Sequence, residues 1–255
     1  MKPNQKTLRN INQDEFRLYM ACKKRFYFSD GKEKIKTLQL RIVERAFEMQ
    51  AIQSLPGYPA DPITDTELIF KAAQSLERDR SLTLSEYQKV TYESGILWDQ
   101  LNRTIRLSNY IPIYGPLDFT KTLKRNTLTL HISCIGCTQN GSLRAWVFTP
   151  YKDERDICWD PLHMIQFDYA KNLYDTVCNK KTDRFILYII SLNQSKKEFK
   201  ISSMETCNKN TRKAFIKHIY SVDRELYDSI DSPLLPCYNN NCPYRKVCLP
   251  ERDEK

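Results

Sequence analysis

Four cysteines carry the strongest chemical signal in the chain: Cys22 near its front, and Cys237, Cys242 and Cys248 at its end. The last three lie in Pro-Cys-Tyr-Asn-Asn-Asn-Cys-Pro-Tyr-Arg-Lys-Val-Cys, a C-x4-C-x5-C run. Thiolates gathered in this way hold a tetrahedral zinc or an iron-sulfur cluster, and four sulfurs alone do not choose between them. So close a spacing is uncommon in cysteines without a metal or disulfides. Cys22, followed by Phe26, Tyr27 and Phe28, also reads as a small buried hydrophobe. Cys134-Ile-Gly-Cys137 has the spacing of half a metal site, but it runs from a strand into a hairpin and no second pair accompanies it. It reads, with Cys158, Cys178 and Cys207, as core or turn cysteine.

The elements that must position these groups sit in a chain whose composition narrows the class. Nine cysteines in 255 residues is an odd number at low density, and the start Met-Lys-Pro-Asn-Gln-Lys has no apolar signal core. An intracellular protein with reduced thiols is expected, cytoplasmic or, in a eukaryote, nuclear. The longest purely apolar run, Phe185 to Ile190, is too short for a bilayer, so no membrane partner is expected. The net charge is +9, with basic groups at Lys23-Lys24-Arg25, Lys121 with Lys124-Arg125, and Lys209 through Lys217. Tyrosines and phenylalanines lie close to the first group and to the cysteines. Such a pattern suits a polyanion with exposed bases, and equally a solvated cationic face. Gly-x-Ser-x-Gly, Gly-x-Gly-x-x-Gly and phosphate-loop motifs are missing, and three histidines leave little for a histidine relay.

Periodicity predicts a single α/β domain over 1–255: a helical part (1–105), a sheet core (106–203) and a last helix with the cysteines (204–255). Ile35, Leu38, Ile42, Val43, Ala46 and Phe47 form one helical stripe, stopped at Pro56-Gly57-Tyr58-Pro59. A second helix starts at Thr64 and runs to about Arg80, and a third runs from Ser85 toward Arg103. Strands are predicted at Ile111–Phe119, Thr127–Cys134 and Leu143–Tyr151, with Gln139-Asn140-Gly141 as a hairpin turn. A helix over 160–178, strands over 184–192 and 197–203, and a helix over 205–230 complete the order.

That order, helix, three strands, helix, strand, resembles the core of the PD-(D/E)XK nucleases, a mixed sheet flanked by helices. The cysteines make the chain similar to the RecB-like branch with an iron-sulfur cluster, which includes CRISPR-associated adaptation nucleases and AddB-type subunits. In that branch an early Tyr-x-x-Cys-Pro-x-x-Phe-Tyr-like segment joins three late cysteines, the middle one followed by Pro-Tyr. Phe16-Arg-Leu-Tyr-Met-Ala-Cys22-Lys-Lys-Arg-Phe-Tyr and Cys242-Pro-Tyr-Arg-Lys-Val-Cys248 match, with Lys23 where proline is usual and a longer Cys237–Cys242 spacing. The resemblance implies a structural [4Fe-4S] cluster on Cys22, Cys237, Cys242 and Cys248, with zinc as the other occupant. Metal binding there would appear as folding free energy.

The resemblance also implies Mg2+ or Mn2+ held by carboxylates beside a scissile phosphate, with a lysine for charge. Gly115-Pro-Leu-Asp118 matches the Gly-x-x-Asp strand that supplies the first acid. Where Glu-x-Lys should follow stands His131-Ile-Ser133, and serine cannot supply the lysine's charge. His131 reads otherwise as a core histidine with a satisfied ring. Glu44, or Glu48 one turn on, takes the place of the helix acid, though a surface glutamate is the plainer reading of both. Gln166 and Tyr169 sit near the family's DNA-facing Gln and Tyr, Lys121 is a candidate displaced lysine, and Lys24 and Arg25 are candidate DNA contacts. Two functions follow as expectations: a DNA-binding or assembly subunit with impaired catalysis and a protein partner in a DNA-processing complex, or an active nuclease using Asp118, Glu44 and His131.

Overall fold

Short polar side chains set the helix starts. In the computed structural model, which describes residues 9–22, 26, 36–58, 63–76, 82–105, 109–151, 160–177, 184–193 and 195–228, Asn12 caps helix α1 (Gln13–Ala21). Its Oδ1 accepts from the backbone N–H groups of Asp14 and Glu15 at 2.9 Å, and Glu15 Oε2 accepts from the Asn12 N–H at 2.8 Å. This capping box follows a four-residue strand, β1 (Arg9–Asn12), that periodicity did not predict. Thr37 caps α2 (Leu38–Gln53) and Thr64 caps α3 (Asp65–Ser75). Thr83 and Glu86 exchange hydrogen bonds at the start of α4 (Leu84–Ile105).

The residues of the predicted three-strand meander form five segments divided between two sheets: β2 (Tyr110–Tyr114), β3 (Leu117–Thr122), β4 (Asn126–Ile132), β5 (Cys134–Thr138) and β6 (Leu143–Thr149). The strand expected over 111–119 breaks at Gly115-Pro116, where proline offers no N–H to a ladder. The strand expected over 127–134 breaks at Ser133. Helix α5 (Pro161–Val177) then precedes β7 (Phe185–Asn193), β8 (Glu198–Met204) and α6 (Lys209–Asp228). The strands form a five-stranded sheet ordered β2-β5-β6-β7-β8 and a three-stranded sheet ordered β1-β4-β3. Both are mixed: β6 and β7 are parallel, joined through α5, and β1 runs parallel to β4. The chain is therefore an α/β protein, and no described helix is long and apolar enough to cross a membrane.

Two compact units divide the chain: residues 1–35, 120–130 and 216–255, and residues 36–119 and 131–215. In the first, Asn126 Nδ2 donates to the Asp223 carbonyl at 2.9 Å and to its Oδ1 at 2.8 Å, and the Arg125 N–H donates to Asp223 Oδ2 at 3.0 Å. In the second, the stripe Leu40, Val43, Phe47 and Ala51 of α2 is buried in one cluster with α3, α4 and the sheet residues Trp146 and Phe148. Phe47 meets Trp146 and Phe148 with ring centroids 6.0 and 5.5 Å apart. That packing fixes which side of α2 is free to carry polar groups.

Candidate functional site

Glu44 and Glu48 stand one turn apart on α2 and therefore share a face. The corner before β3 comes close to the same helix. A Cβ on Gly115 would lie 3.0 Å from Ile52 Cγ1, so the glycine of Gly115-Pro-Leu-Asp118 lets backbone and helix approach. Asp118 on β3 and His131 on β4 complete the group. His131 Nδ1 is 2.7 Å from Asp118 Oδ1, and its Nε2 is 2.7 Å from Glu48 Oε1. Helix α5 adds Gln166, fully buried, whose Nε2 donates to the His131 carbonyl at 2.7 Å. Lys36, just before α2, donates to both carboxylate oxygens of Glu44 at 2.8 Å, and Arg45 donates to Glu48 Oε2 at 3.1 Å.

The cluster is neutral by formal count, three acids against Lys36, Arg45 and a protonated His131. Burial alone would lower the imidazole. The Glu48 hydrogen bond, the charges of Glu44 and Glu48 and the Asp118 hydrogen bond overcome it, and His131 is raised to about 9. Glu44 is raised above the ordinary carboxylate value, chiefly by burial, against the lowering charges of Lys36 and His131. At neutral pH the ring is thus an imidazolium that donates on both edges, a cation between two carboxylates.

One ligand atom from each of Glu44, Glu48 and His131 lies within 4.8 Å of the others. Two carboxylates and an imidazole suit a transition ion better than Mg2+. The Mg2+ arrangement implied by the resemblance would set Asp118 and the residue at 131 on one ion; here Asp118 lies against Nδ1 of His131 and Glu48 against Nε2, on opposite edges of the ring.

Glu44 and Glu48, read from sequence as surface glutamates, are both buried, at 8% and 7% exposure. Their partners Lys36, Arg45 and His131 make that burial affordable. The His131 ring is satisfied, but by carboxylates and not by a core. Ser133 is fully buried and, among the described residues, its Oγ has no hydrogen-bond partner. Lys36 was missed by sequence reasoning, and no motif marks it; only an ion pair formed around the α2 start reveals it. Tyr169 is half-buried and stacks on Phe119, with ring centroids 3.7 Å apart and planes 7° apart. Lys121 is exposed on β3, at an odd spacing from Asp118 that turns it to the other face of the strand.

Of the cysteine set, Cys22 is half-buried and ends α1, its N–H donating to the Leu18 carbonyl at 2.9 Å. Cys237, Cys242 and Cys248, like Lys24 and Arg25, lie outside the described residues. Burial pushes the Cys134 thiol up to about 12, which suits a core cysteine and not a thiolate ligand. The first unit carries a basic, aromatic surface of its own. Lys124 Nζ lies 4.9 Å from the Tyr220 ring centroid, and Lys217 and Arg224 are exposed on the same α6 face as Tyr220. No family model and no curated protein matches the chain.

Proposed function

We propose that the chain is a nucleic-acid-binding protein on a RecB-like, PD-(D/E)XK fold, strongly impaired in catalysis and acting as a binding or assembly subunit. One observation carries this reading: both ring nitrogens of His131 are spent on carboxylates, Asp118 on one edge and Glu48 on the other. An internal imidazolium thus stands between the acids where the nuclease reaction would need a divalent cation. The buried, uncharged Ser133 agrees with it, because nothing at that position could stabilise a phosphate in reaction. The strand order and the contribution of α2, β3, β4 and α5 to one cluster support the nuclease-like core. The cation–π pair of Lys124 and Tyr220 supports contact with a strand of bases and phosphates.

Labelled single- and double-stranded DNA incubated with Mg2+ or Mn2+ tests it. Binding without cleavage, weakened by salt, is expected. Metal-dependent cleavage lost in Asp118→Ala would overturn it. A second reading, an active enzyme with Mn2+ on Glu44, Glu48 and His131, is favoured by the convergence of those three donors and by Lys36 as a displaced lysine. It requires cleavage that Glu48→Gln abolishes.

The same reading assigns Cys22, Cys237, Cys242 and Cys248 to a [4Fe-4S] cluster, with zinc as its rival. Anaerobically purified protein should be brown with a broad visible band that Cys22→Ser removes. Colourless protein containing zinc would replace the cluster with a zinc clasp.

A further inference from the structure

Helices α3 and α4 turn one face into the core, and the other face should be polar if water were its only neighbour. It is not. Phe70, Leu84, Tyr92 and Ile96 are 55%, 58%, 73% and 47% exposed, four of the nine large hydrophobic side chains exposed among the described residues. They border a groove of about 890 Å3 between the two helices. Such a concentration marks a surface built to be covered.

The groove is preformed. The Tyr87 hydroxyl donates to the Ala73 carbonyl, and Trp98 Nε1 donates to Asp65 Oδ1 at 3.1 Å, tying α4 to α3 along its length. Its lining includes Gly95, in the interior of α4, where glycine weakens a helix relative to alanine. Apart from its chain neighbours and the local backbone of α4, no heavy atom of the described residues lies within 4 Å of where a Cβ on Gly95 would sit. Packing inside the chain therefore does not call for glycine there. What the missing side chain provides is depth, so that another backbone can come close.

Charge selects the occupant. Among the described residues, the charged ones lining the groove are Asp65 and Asp99, although the chain as a whole carries +9. A second copy laid face to face would bring one chain of net charge +9 against another. A helix with an apolar stripe and lysine or arginine beside it meets the apolar side chains of the groove and the carboxylates of Asp65 and Asp99. We infer that the α3–α4 groove docks a cationic amphipathic helix of a partner protein. From Leu84 to Asp99 the α4 side of the lining spans about 22 Å, or roughly four helical turns, which sets the length of that helix. None of the residues around His131 belongs to this lining, so the inference stands apart from the proposed function.

The test uses the full chain and two labelled helical peptides of about 18 residues. Both carry leucine at helical spacing, one with lysine and the other with glutamate at the remaining positions, and binding is read by fluorescence anisotropy at about 0.15 M salt. The lysine peptide should bind saturably and the glutamate peptide should not. Gly95→Leu, which fills the groove, and Ile96→Glu should each weaken binding at least about tenfold, and Asp99→Asn by several-fold. Glu205→Gln, outside the lining, should leave it unchanged, and the unfolding midpoint of Gly95→Leu should not fall. Equal affinity for the two peptides, absence of binding by both, or wild-type binding by Gly95→Leu would overturn the inference. So would sedimentation showing a dimer that Ile96→Glu separates, since a second copy would then hold the groove.

Discussion

His131 is held charged by its neighbours and not by water, and this gives the cluster a measurable pH dependence. Its folded value of about 9 lies above the ordinary 6.5. The stabilisation it contributes is fully present below about pH 6.5 and is lost as pH rises through about 9. An NMR titration of the imidazole should therefore show a midpoint well above that of an exposed histidine. Urea unfolding should show stability falling across the same window. His131→Asn should cost about 2 kcal/mol at neutral pH and flatten that fall, because Glu48 and Asp118 lose the cation between them. A profile unchanged by the substitution would mean that the ring is neutral in the folded protein. Lys36→Met makes the complementary case. Glu44 is buried and Lys36 meets both its oxygens, so removing the amine strands a charge at a cost of about 3 kcal/mol, while Lys36→Met with Glu44→Leu should recover most of it. Neither pairing could be read from the sequence. Glutamate on an apolar-striped helix looks like a solvated face until its partners, 83 positions away for Glu48 and His131, are brought in by folding.

Much of what positions these residues was legible at the level of elements. The stripe Leu38, Ile42, Ala46 marked α2, Thr64 marked the start of α3, and the hairpin signal at Gln139-Asn140-Gly141 falls between β5 and β6, with Gly141 at φ 75°. The breaks at Gly115-Pro116 and Ser133 were not anticipated, since a run rich in β-formers reads as continuous even where the chain leaves one sheet for another. The first strand, β1, is too short for a period of two to stand out, although Asn12 followed by Glu15 was a readable capping box. Gly115 joins the two levels, because the same glycine that completes the Gly-x-x-Asp pattern sets the distance between the β3 corner and α2. Gly115→Val should destabilise by about 1–2 kcal/mol. Ile52→Val should cost less in the Gly115→Val background than in the native one, with a coupling of at least about 0.5 kcal/mol in a double-mutant cycle. Simple additivity would show that the corner does not press on the helix.

For the whole molecule the open issue is whether a charge of +9 is a binding surface or a solvated one, and the first unit offers the place to decide. Lys124 over Tyr220, with Lys217 and Arg224 on the same helical face, combines cations for phosphates with a ring on which a base can stack. A bound single strand releases counterions in proportion to the phosphates neutralised. Lys217→Ala and Arg224→Ala should therefore each reduce the slope of log affinity against log salt by about 0.7. Tyr220→Ala should weaken binding by about 1–3 kcal/mol through lost stacking and leave the salt slope nearly unchanged. At 38% exposure the ring contributes little to the core, so the unfolding midpoint should scarcely move and lost affinity cannot be put down to unfolding. Fluorescence anisotropy over a salt series measures both quantities in one experiment. Slopes identical to wild type in both cation variants would make this face solvated surface and remove the cation–π pair as support for a nucleic-acid partner.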